Sequence, residues 1–187
     1  MRVFAVACSP RRSGNSESLL DVVLAELRAA GHAVKKVSLT DYEVQGCQGH
    51  GGRCAGEVCP IDDGFAQMAE EAMAADCFML AIPVYYWGVP AQLKAYIDRH
   101  VHYYGRRRYA AKAIGVIIVA ADDGISETED QVHSFLIKGG HTSLSWDDID
   151  RLGAFAHERG EALAHPELLE QARELGQRLH NRLLDST

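Results

Sequence analysis

The chain has 187 residues, of which 47% are apolar and 24% charged, and its formal net charge at pH 7 is −7. This length and composition predict one compact domain over residues 1–187 and exclude disorder, collagen and coiled coil. The acidic balance argues against a protein that reads nucleic-acid phosphates with a basic face. No apolar run approaches the ~18 residues of a membrane span, and no signal peptide is recognisable. We therefore expect a cytoplasmic protein that binds neither nucleic acid nor membrane.

Short apolar runs and helical periodicities alternate along the chain. The runs predict five strands, at residues 2–8, 33–39, 76–82, 112–121 and 141–146. The periodicities predict helices at residues 16–30, 63–74, 90–97, 127–137 and from Pro166 onward. Because parallel strands need crossover connections, this order predicts an α/β fold, a doubly wound five-stranded parallel sheet with helices on both faces. Residues 41–62 are rich in glycine and cysteine, have no clear period and are predicted to be a loop insertion.

The loop after the first strand has the composition of an anion site. In a doubly wound sheet ligands bind at the carboxyl ends of the strands, so loops 9–16, 83–88 and 121–126 are predicted to lie together. Residues 9–16 read Ser-Pro-Arg-Arg-Ser-Gly-Asn-Ser. Their hydroxyls, the amide and the N–H groups of the helix start can donate to one phosphate, and Arg11 or Arg12 can neutralise its charge. The alternative is that the serines and the asparagine only cap the helix.

Three other phosphate-handling motifs fail on spacing. A P-loop needs a lysine, and this loop has none. A dinucleotide fingerprint needs three glycines in the pattern GxGxxG, and this loop contains Gly14 alone. A cysteine phosphatase motif that starts at Cys8 needs an arginine where Gly14 stands. We therefore interpret Cys8 as a buried residue at the strand end, and we predict a phosphate that is bound rather than transferred.

The second and third loops offer aromatic rings and carboxylates. Residues 83–88, Pro-Val-Tyr-Tyr-Trp-Gly, place three aromatic side chains directly after a buried strand. At least one ring is expected to face the crevice or a subunit interface, with packing under the following helix as the alternative for each ring. In the third loop, Asp122, Asp123 and Gly124 can form the far wall, or the carboxylates can cap the next helix.

Three segments of the chain together resemble one known family. They are SPRRSGNSESLL, CPIDDGFAQMAEEAMAADCFMLAIPVYYWGVPAQLKAYIDR and HPELLEQARELGQRL. The family is that of the flavodoxin-like NAD(P)H-dependent FMN reductases, which includes iron–sulfur flavoproteins and multimeric flavodoxin-like quinone reductases. The resemblance implies a flavodoxin-like fold and a bound FMN whose phosphate is held by Ser9, Arg11, Ser13, Asn15 and Ser16. It also implies that the ribityl chain and the isoalloxazine ring are lined by Pro83, Val84, Tyr85, Tyr86, Trp87 and Gly88, and Asp122 and Gly124 complete the candidate set.

The loop insertion contains a candidate metal knuckle formed by Cys47, His50, Cys54 and Cys59. In the iron–sulfur branch of the family the pattern resembles C-x2-C-x2-C followed by a fourth cysteine, whereas here His50 and Arg53 stand where the second and third thiolates belong. The same residues would make a Cys3His zinc site with looser spacing than a standard ribbon. The chain has five cysteines, an odd number that favours reduced thiols, and we predict that the loop holds no metal. Six further histidines show no ligand spacing and are expected at the surface, namely His32, His133, His141, His157, His165 and His180.

The resemblance implies an oxidoreductase that uses FMN to take a hydride from NAD(P)H and pass electrons to a small acceptor. The acceptor would be a quinone, a nitro or azo compound, or free flavin. No side chain is assigned as a catalytic acid or base, because the flavin carries the chemistry. The relatives form dimers or tetramers, so a homodimer or homotetramer is expected. Two alternatives stay open: an electron carrier for a protein partner, with or without an iron–sulfur cluster, and a non-catalytic sensor or subunit that binds another phosphate.

Overall fold

The computed structural model describes residues 1–50, 59–105 and 109–185. Within them, five strands form one parallel sheet in the order β2–β1–β3–β4–β5. The strands are β1 (Arg2–Ala7), β2 (Ala33–Ser38), β3 (Cys77–Pro83), β4 (Ala113–Ala120) and β5 (Asp150–Phe155). This confirms the predicted doubly wound α/β class. The order reverses between β1 and β3, and a crevice is expected at the carboxyl ends of these strands.

Helices cover the two faces of the sheet. They are α1 (Asn15–Ala29), α2 (Phe65–Met73), α3 (Ala91–Arg99), α4 (Ile125–His133) and α5 (Pro166–Asp185). Successive strand residues point to opposite faces, which creates two apolar layers. One layer contains Leu20 of α1 and Leu179 of α5, and the other contains Phe65 of α2, Tyr96 of α3 and Val132 of α4. In the described part of the chain, no helix combines the length and the apolar character that crossing a bilayer requires.

The prediction of a strand at residues 141–146 is wrong, since the last strand is β5. In residues 142–148 polar side chains bond the local backbone instead. The Leu144 N–H donates to Thr142 Oγ1 at 3.2 Å, and Ser145 and Asp148 form a capping box around a short 3₁₀ turn. Such local hydrogen bonds compete with the pairing of a strand to its neighbour.

Strand β5 begins with two charged residues, Asp150 and Arg151, so its sequence does not show the apolar pattern of a buried strand. Asp150 is buried, and it accepts hydrogen bonds from Arg178 Nε at 3.1 Å and from Arg182 Nε at 2.6 Å. The two arginines lie on α5, 28 and 32 residues further along the chain. Because these partners are distant in sequence, the local pattern cannot indicate that a carboxylate is tolerated in this strand.

A closed chain of hydrogen bonds lies in the apolar layer under α3. His100 is fully buried, and its Nδ1 lies 2.9 Å from the Tyr96 carbonyl oxygen, which can only accept. Nδ1 therefore carries the proton, so Nε2 accepts from the Tyr109 hydroxyl at 2.9 Å, and Tyr109 accepts from the Tyr96 hydroxyl at 3.0 Å. Burial lowers the pKa of His100 to about 3, so the imidazole is neutral. His141, expected at the surface, is buried against His100 with 5.2 Å between the ring centroids.

Candidate functional site

A cleft opens at the carboxyl ends of the strands, where the strand order reverses. Seven of the residues proposed from the sequence line it: Ser9, Arg11, Asn15, Ser16, Pro83, Val84 and Tyr85. The remaining lining comes from Gly14, residues 119–121 at the end of β4, and Ala156, His157 and Arg159 after β5. The loops that follow β1, β3 and β5 therefore meet at one edge of the sheet.

Helix α1 begins at the cleft without a side-chain cap. Gly14 is the N-cap residue, with an extended backbone (φ −77°, ψ 170°), and no side chain hydrogen-bonds to the N–H groups as a cap. Ser16 is 2% exposed, and its Oγ has no hydrogen-bond partner among the described residues. The alternative in which serine and asparagine only cap the helix is therefore wrong. The N–H groups of the first turn and a buried hydroxyl are available to an anion.

Arg11 connects the first loop to the second. Its N–H donates to Ser9 Oγ at 3.0 Å, which leaves the Ser9 hydroxyl proton free to be donated elsewhere. Its Nε donates to the Tyr85 hydroxyl oxygen at 3.2 Å, and the guanidinium carbon lies 5.9 Å from the Tyr85 ring centroid. The neighbouring Arg12 instead forms an ion pair with Asp41. Of these two arginines, only Arg11 lines the cleft.

Ser13 shapes the loop from outside the cleft. Its backbone is left-handed (φ 54°), the residue is exposed, and its N–H donates to the Glu17 carboxylate at 2.6 Å. Burial opposes the ionisation of Glu17, but hydrogen bonds from Lys36 and from the Ser13 N–H outweigh it and lower the pKa of Glu17. The charged Glu17 therefore stabilises a turn conformation that costs a non-glycine residue ~1–2 kcal/mol.

The second loop is a tight turn that presents aromatic rings. The Tyr85 N–H donates to the Gly88 carbonyl at 2.9 Å, and Tyr86 and Trp87 between them have left-handed φ values of 51° and 55°. Tyr86 is 94% exposed and Trp87 is 51% exposed, and neither lines the cleft. The indole Nε1 of Trp87 donates to Asp123 at 3.1 Å. Strained residues with exposed rings are typical of binding sites and interfaces rather than of core packing.

The third loop approaches the second closely and forms the rim of the cleft. A Cβ on Gly124 (φ 92°) would lie 2.8 Å from Val84 and 2.9 Å from the Cα of Trp87, so only glycine fits there. The Asp122 side chain is 80% exposed, and its Oδ1 lies 3.0 Å from Nε2 of His157. Asp122 and Gly124 therefore shape the rim without lining the cleft.

Two polar residues of the cleft have no assigned role in the sequence analysis, namely His157 and Arg159. Arg159 donates from Nη2 to the Arg12 carbonyl at 2.8 Å and from Nε to the Ser13 carbonyl at 3.4 Å. With Arg11 it brings a second guanidinium to the cleft. The sequence could have indicated both residues through their position directly after the last strand, if that strand is predicted at β5.

A buried arginine ties together the two ends of the cysteine-rich loop. Arg99 donates to the Gln45 carbonyl at 3.1 Å, to the Ile61 carbonyl at 3.3 Å and to Asp63 at 2.7 Å. The side chains of Arg99 and Asp63 are 1% and 5% exposed, so solvent does not screen this ion pair. One guanidinium therefore binds the backbone at both ends of the loop, at the carbonyls of Gln45 and Ile61.

Two of the five cysteines belong to the core of the sheet. Cys8 follows β1 and is fully buried, in agreement with its interpretation as a strand-end residue, and Cys77 begins β3. Burial raises the pKa of both thiols, to about 12 for Cys77. Both thiols are therefore protonated at neutral pH and lie in the core of the sheet, away from the cysteine-rich loop.

The candidate metal residues of the loop are only partly described. Cys47 is exposed, His50 and Cys59 are half-buried, and Cys54 lies outside the described residues. Across residues 1–50, 59–105 and 109–185, no group of three or more His, Cys, Asp and Glu side chains is arranged to hold a metal ion. With Cys8 and Cys77 in the core, the loop has one thiol fewer than the four that a cubane cluster usually takes. This donor set does not fit a four-thiolate cluster.

Comparisons with known proteins identify the family and the fold. An iron–sulfur flavoprotein from Archaeoglobus fulgidus is 35% identical over 127 residues, which are 68% of this chain and 58% of the relative, so the chain spans less than two thirds of that protein. Another, from Methanocaldococcus jannaschii, is 32% identical over 140 residues, 73% of this chain and 72% of the relative. The solved NAD(P)H:quinone oxidoreductase from Methanothermobacter marburgensis superposes with a TM-score of 0.73 at 23% identity over 96% of each chain, which shows a shared flavodoxin-like fold. The sequence model of the NADPH-dependent FMN reductases matches residues 1–144, and the chain belongs to this family.

Proposed function

We propose that the chain is a flavin-dependent oxidoreductase that holds FMN in the cleft. It would take reducing equivalents from NAD(P)H and pass them to a small acceptor such as a quinone, a nitro or azo compound, or free flavin. The observation that carries the proposal is the buried Ser16 hydroxyl, which has no hydrogen-bond partner in the described part of the chain and lies beside an uncapped helix start. Membership of the FMN reductase family supports a flavin phosphate as the missing partner.

The residues at the start of α1 fit a phosphate dianion. Ser16 Oγ and the N–H groups of the first helical turn can donate to its oxygens, and the helix dipole favours negative charge there. Arg11 and Arg159 line the same cleft and can neutralise the charge. In a chain of net charge −7, such a local pair of guanidinium groups also favours the approach of an anion to this edge over the rest of the surface.

The second loop fits the planar part of the flavin. FMN, when bound, supplies the hydride-transfer and electron-transfer chemistry, so the side chains have only to bind, orient and shield it. Val84 and Tyr85 extend the cleft from the phosphate end. Tyr86 and Trp87 stand at its margin, where their rings can stack on a flat molecule and exclude water. The hydrogen bond from Trp87 to Asp123 orients the indole.

We also propose that the chain forms a homodimer or homotetramer. Besides the aromatic turn, an apolar groove of about 500 Å³ lies between α3 and α4. Val101 and Tyr104 line this groove while they are 57% and 64% exposed. Apolar surface of this kind supports burial against another subunit. Light scattering on the purified protein should give a multiple of the chain mass, and a monomer at micromolar concentration would contradict the proposal.

Anaerobic mixing of the FMN-loaded protein with NADH or NADPH tests the proposed function. Rapid bleaching of the flavin absorbance by either nucleotide, followed by recovery when a quinone is added, is the expected result. Bleaching by a reduced ferredoxin but by neither nucleotide would instead identify an electron carrier that serves a protein partner. A protein that does not take up FMN would contradict both functions.

A further inference from the structure

The segment that follows β5, residues 156–162, forms one wall of the candidate phosphate pocket. Ala156, His157 and Arg159 line the cleft. This segment lies beyond residue 144, where the match to the family ends. The lining of the cleft by these residues shows what the segment contributes to the pocket.

Asn15 fastens this segment to the first loop. Its Nδ2 donates to the Glu158 carbonyl at 2.8 Å and to the Ala156 carbonyl at 3.4 Å, and its Oδ1 accepts from the Ala162 N–H at 3.2 Å. The amide thus bonds with both its donor and its acceptor ends to the segment. A phosphate would have to displace one of these bonds to use the Asn15 amide, so the contacts favour a positioning role over direct binding.

Arg159 reaches back from the segment to the first loop. Its guanidinium donates to the carbonyls of Arg12 and Ser13, and it lines the cleft together with Arg11. Those two carbonyls belong to the turn in which Ser13 is left-handed. Arg159 therefore stabilises the turn that leads into α1. It also brings positive charge to the cleft where Ser16 Oγ has no hydrogen-bond partner from the residues that the structure describes.

We propose that Arg159 is a specificity-determining residue of the phosphate pocket, and that Asn15 is a positioning residue that acts through it. The inference rests on the proposed function, because the phosphate is that of FMN. Arg159 would favour a flavin with a 5′-phosphate over riboflavin, which has none. Asn15 would hold residues 156–162 where Arg159 can reach the phosphate.

Binding of FMN and of riboflavin to the flavin-free full-length protein, followed by flavin fluorescence, tests the proposal without an activity assay. Arg159→Ala should weaken FMN binding roughly tenfold, because it removes a charge-assisted hydrogen bond, and such bonds are at the weak end of their energy range where solvent reaches them. Riboflavin binding should change less than about twofold. Arg159→Lys should restore part of the preference. Arg173→Ala is the matched control, because Arg173 is an exposed arginine that pairs with Glu170 on α5 and does not line the cleft. Circular dichroism and the melting temperature show that each variant folds.

A double-mutant cycle tests the role of Asn15. Asn15→Ala should reduce the preference for FMN over riboflavin in the wild-type background and should have little further effect in Arg159→Ala. Additive effects would overturn the positioning role and indicate that Asn15 contacts the phosphate directly. An unchanged preference in Arg159→Ala, or an equal loss of FMN and riboflavin binding, would overturn the role of Arg159 while wild-type FMN binding upholds the proposed function. If the wild-type protein binds neither flavin, both proposals fail.

Discussion

Replacement of Ser16 by alanine should make the flavin-free protein more stable and FMN binding weaker. A buried hydroxyl without a partner costs ~1–3 kcal/mol, and Ser16 Oγ has none among residues 1–50, 59–105 and 109–185 in the absence of a ligand. Its removal should therefore raise the free energy of unfolding by about 1 kcal/mol. When a phosphate is present, the same hydroxyl would donate to a charged oxygen, a bond worth ~1.5–3 kcal/mol. Its loss should raise the Kd for FMN by roughly 10- to 100-fold.

Urea denaturation of the flavin-free protein and fluorescence titration with FMN measure the two effects. Ser18→Ala is the matched control, because Ser18 lies on the same helix and does not line the cleft. It corrects for the higher helix propensity of alanine, which is worth ~0.5 kcal/mol. A Ser16→Ala protein that is less stable than the control, or that binds FMN as tightly as the wild type, would refute the reasoning.

Three further outcomes follow from the structure. Asp63→Ala leaves the Arg99 guanidinium buried without its counter-ion and should lower the free energy of unfolding by about 3–5 kcal/mol in urea denaturation, and a loss below ~1 kcal/mol would contradict this. The pKa of His100 is about 3 in the fold and ~6.5 in the unfolded chain, so its contribution to stability is complete above pH ~6.5 and declines as the pH falls toward 3. Relative to His100→Gln, the wild type should therefore lose up to ~1.4 kcal/mol per pH unit below 6.5, and parallel curves would contradict the neutral, buried imidazole. Tyr86→Gly relieves a left-handed conformation in a side chain that is 94% exposed and should raise the unfolding free energy by roughly 0.5–1 kcal/mol, while flavin reduction by NAD(P)H slows; a destabilised variant would show that the ring packs in the core.

Burial explains why the central strands could be predicted. Strands β3 and β4 lie between helices on both faces and read as continuous apolar runs, which local sequence reveals. Strand β5 has Asp150 at its start, and the residue is tolerated because two arginines of α5 neutralise it. That compensation arises from tertiary structure, and no local pattern in residues 150–155 indicates it.

The same error hid part of the candidate site. The sequence predicts β1 and β3 correctly, so it also predicts that the loops after them lie at the crevice, where Ser16 and Tyr85 are found. His157 and Arg159 follow β5 directly, but a fifth strand ending at residue 146 leaves them far from any strand end. The hydrogen bonds of Arg159 to the Ser13 and Arg12 carbonyls join residues that are 146 and 147 positions apart in the sequence. No local sequence pattern indicates contacts over such a separation.

The identity of the flavin that the purified protein carries, or takes up, tests the central claim most directly. Denaturation of the purified protein should release one FMN per chain. If the protein is purified without flavin, titration with FMN should reach saturation at one FMN per chain. The flavin should bind more weakly in Ser16→Ala than in Ser18→Ala. A protein that releases no flavin and takes up no FMN would contradict the account.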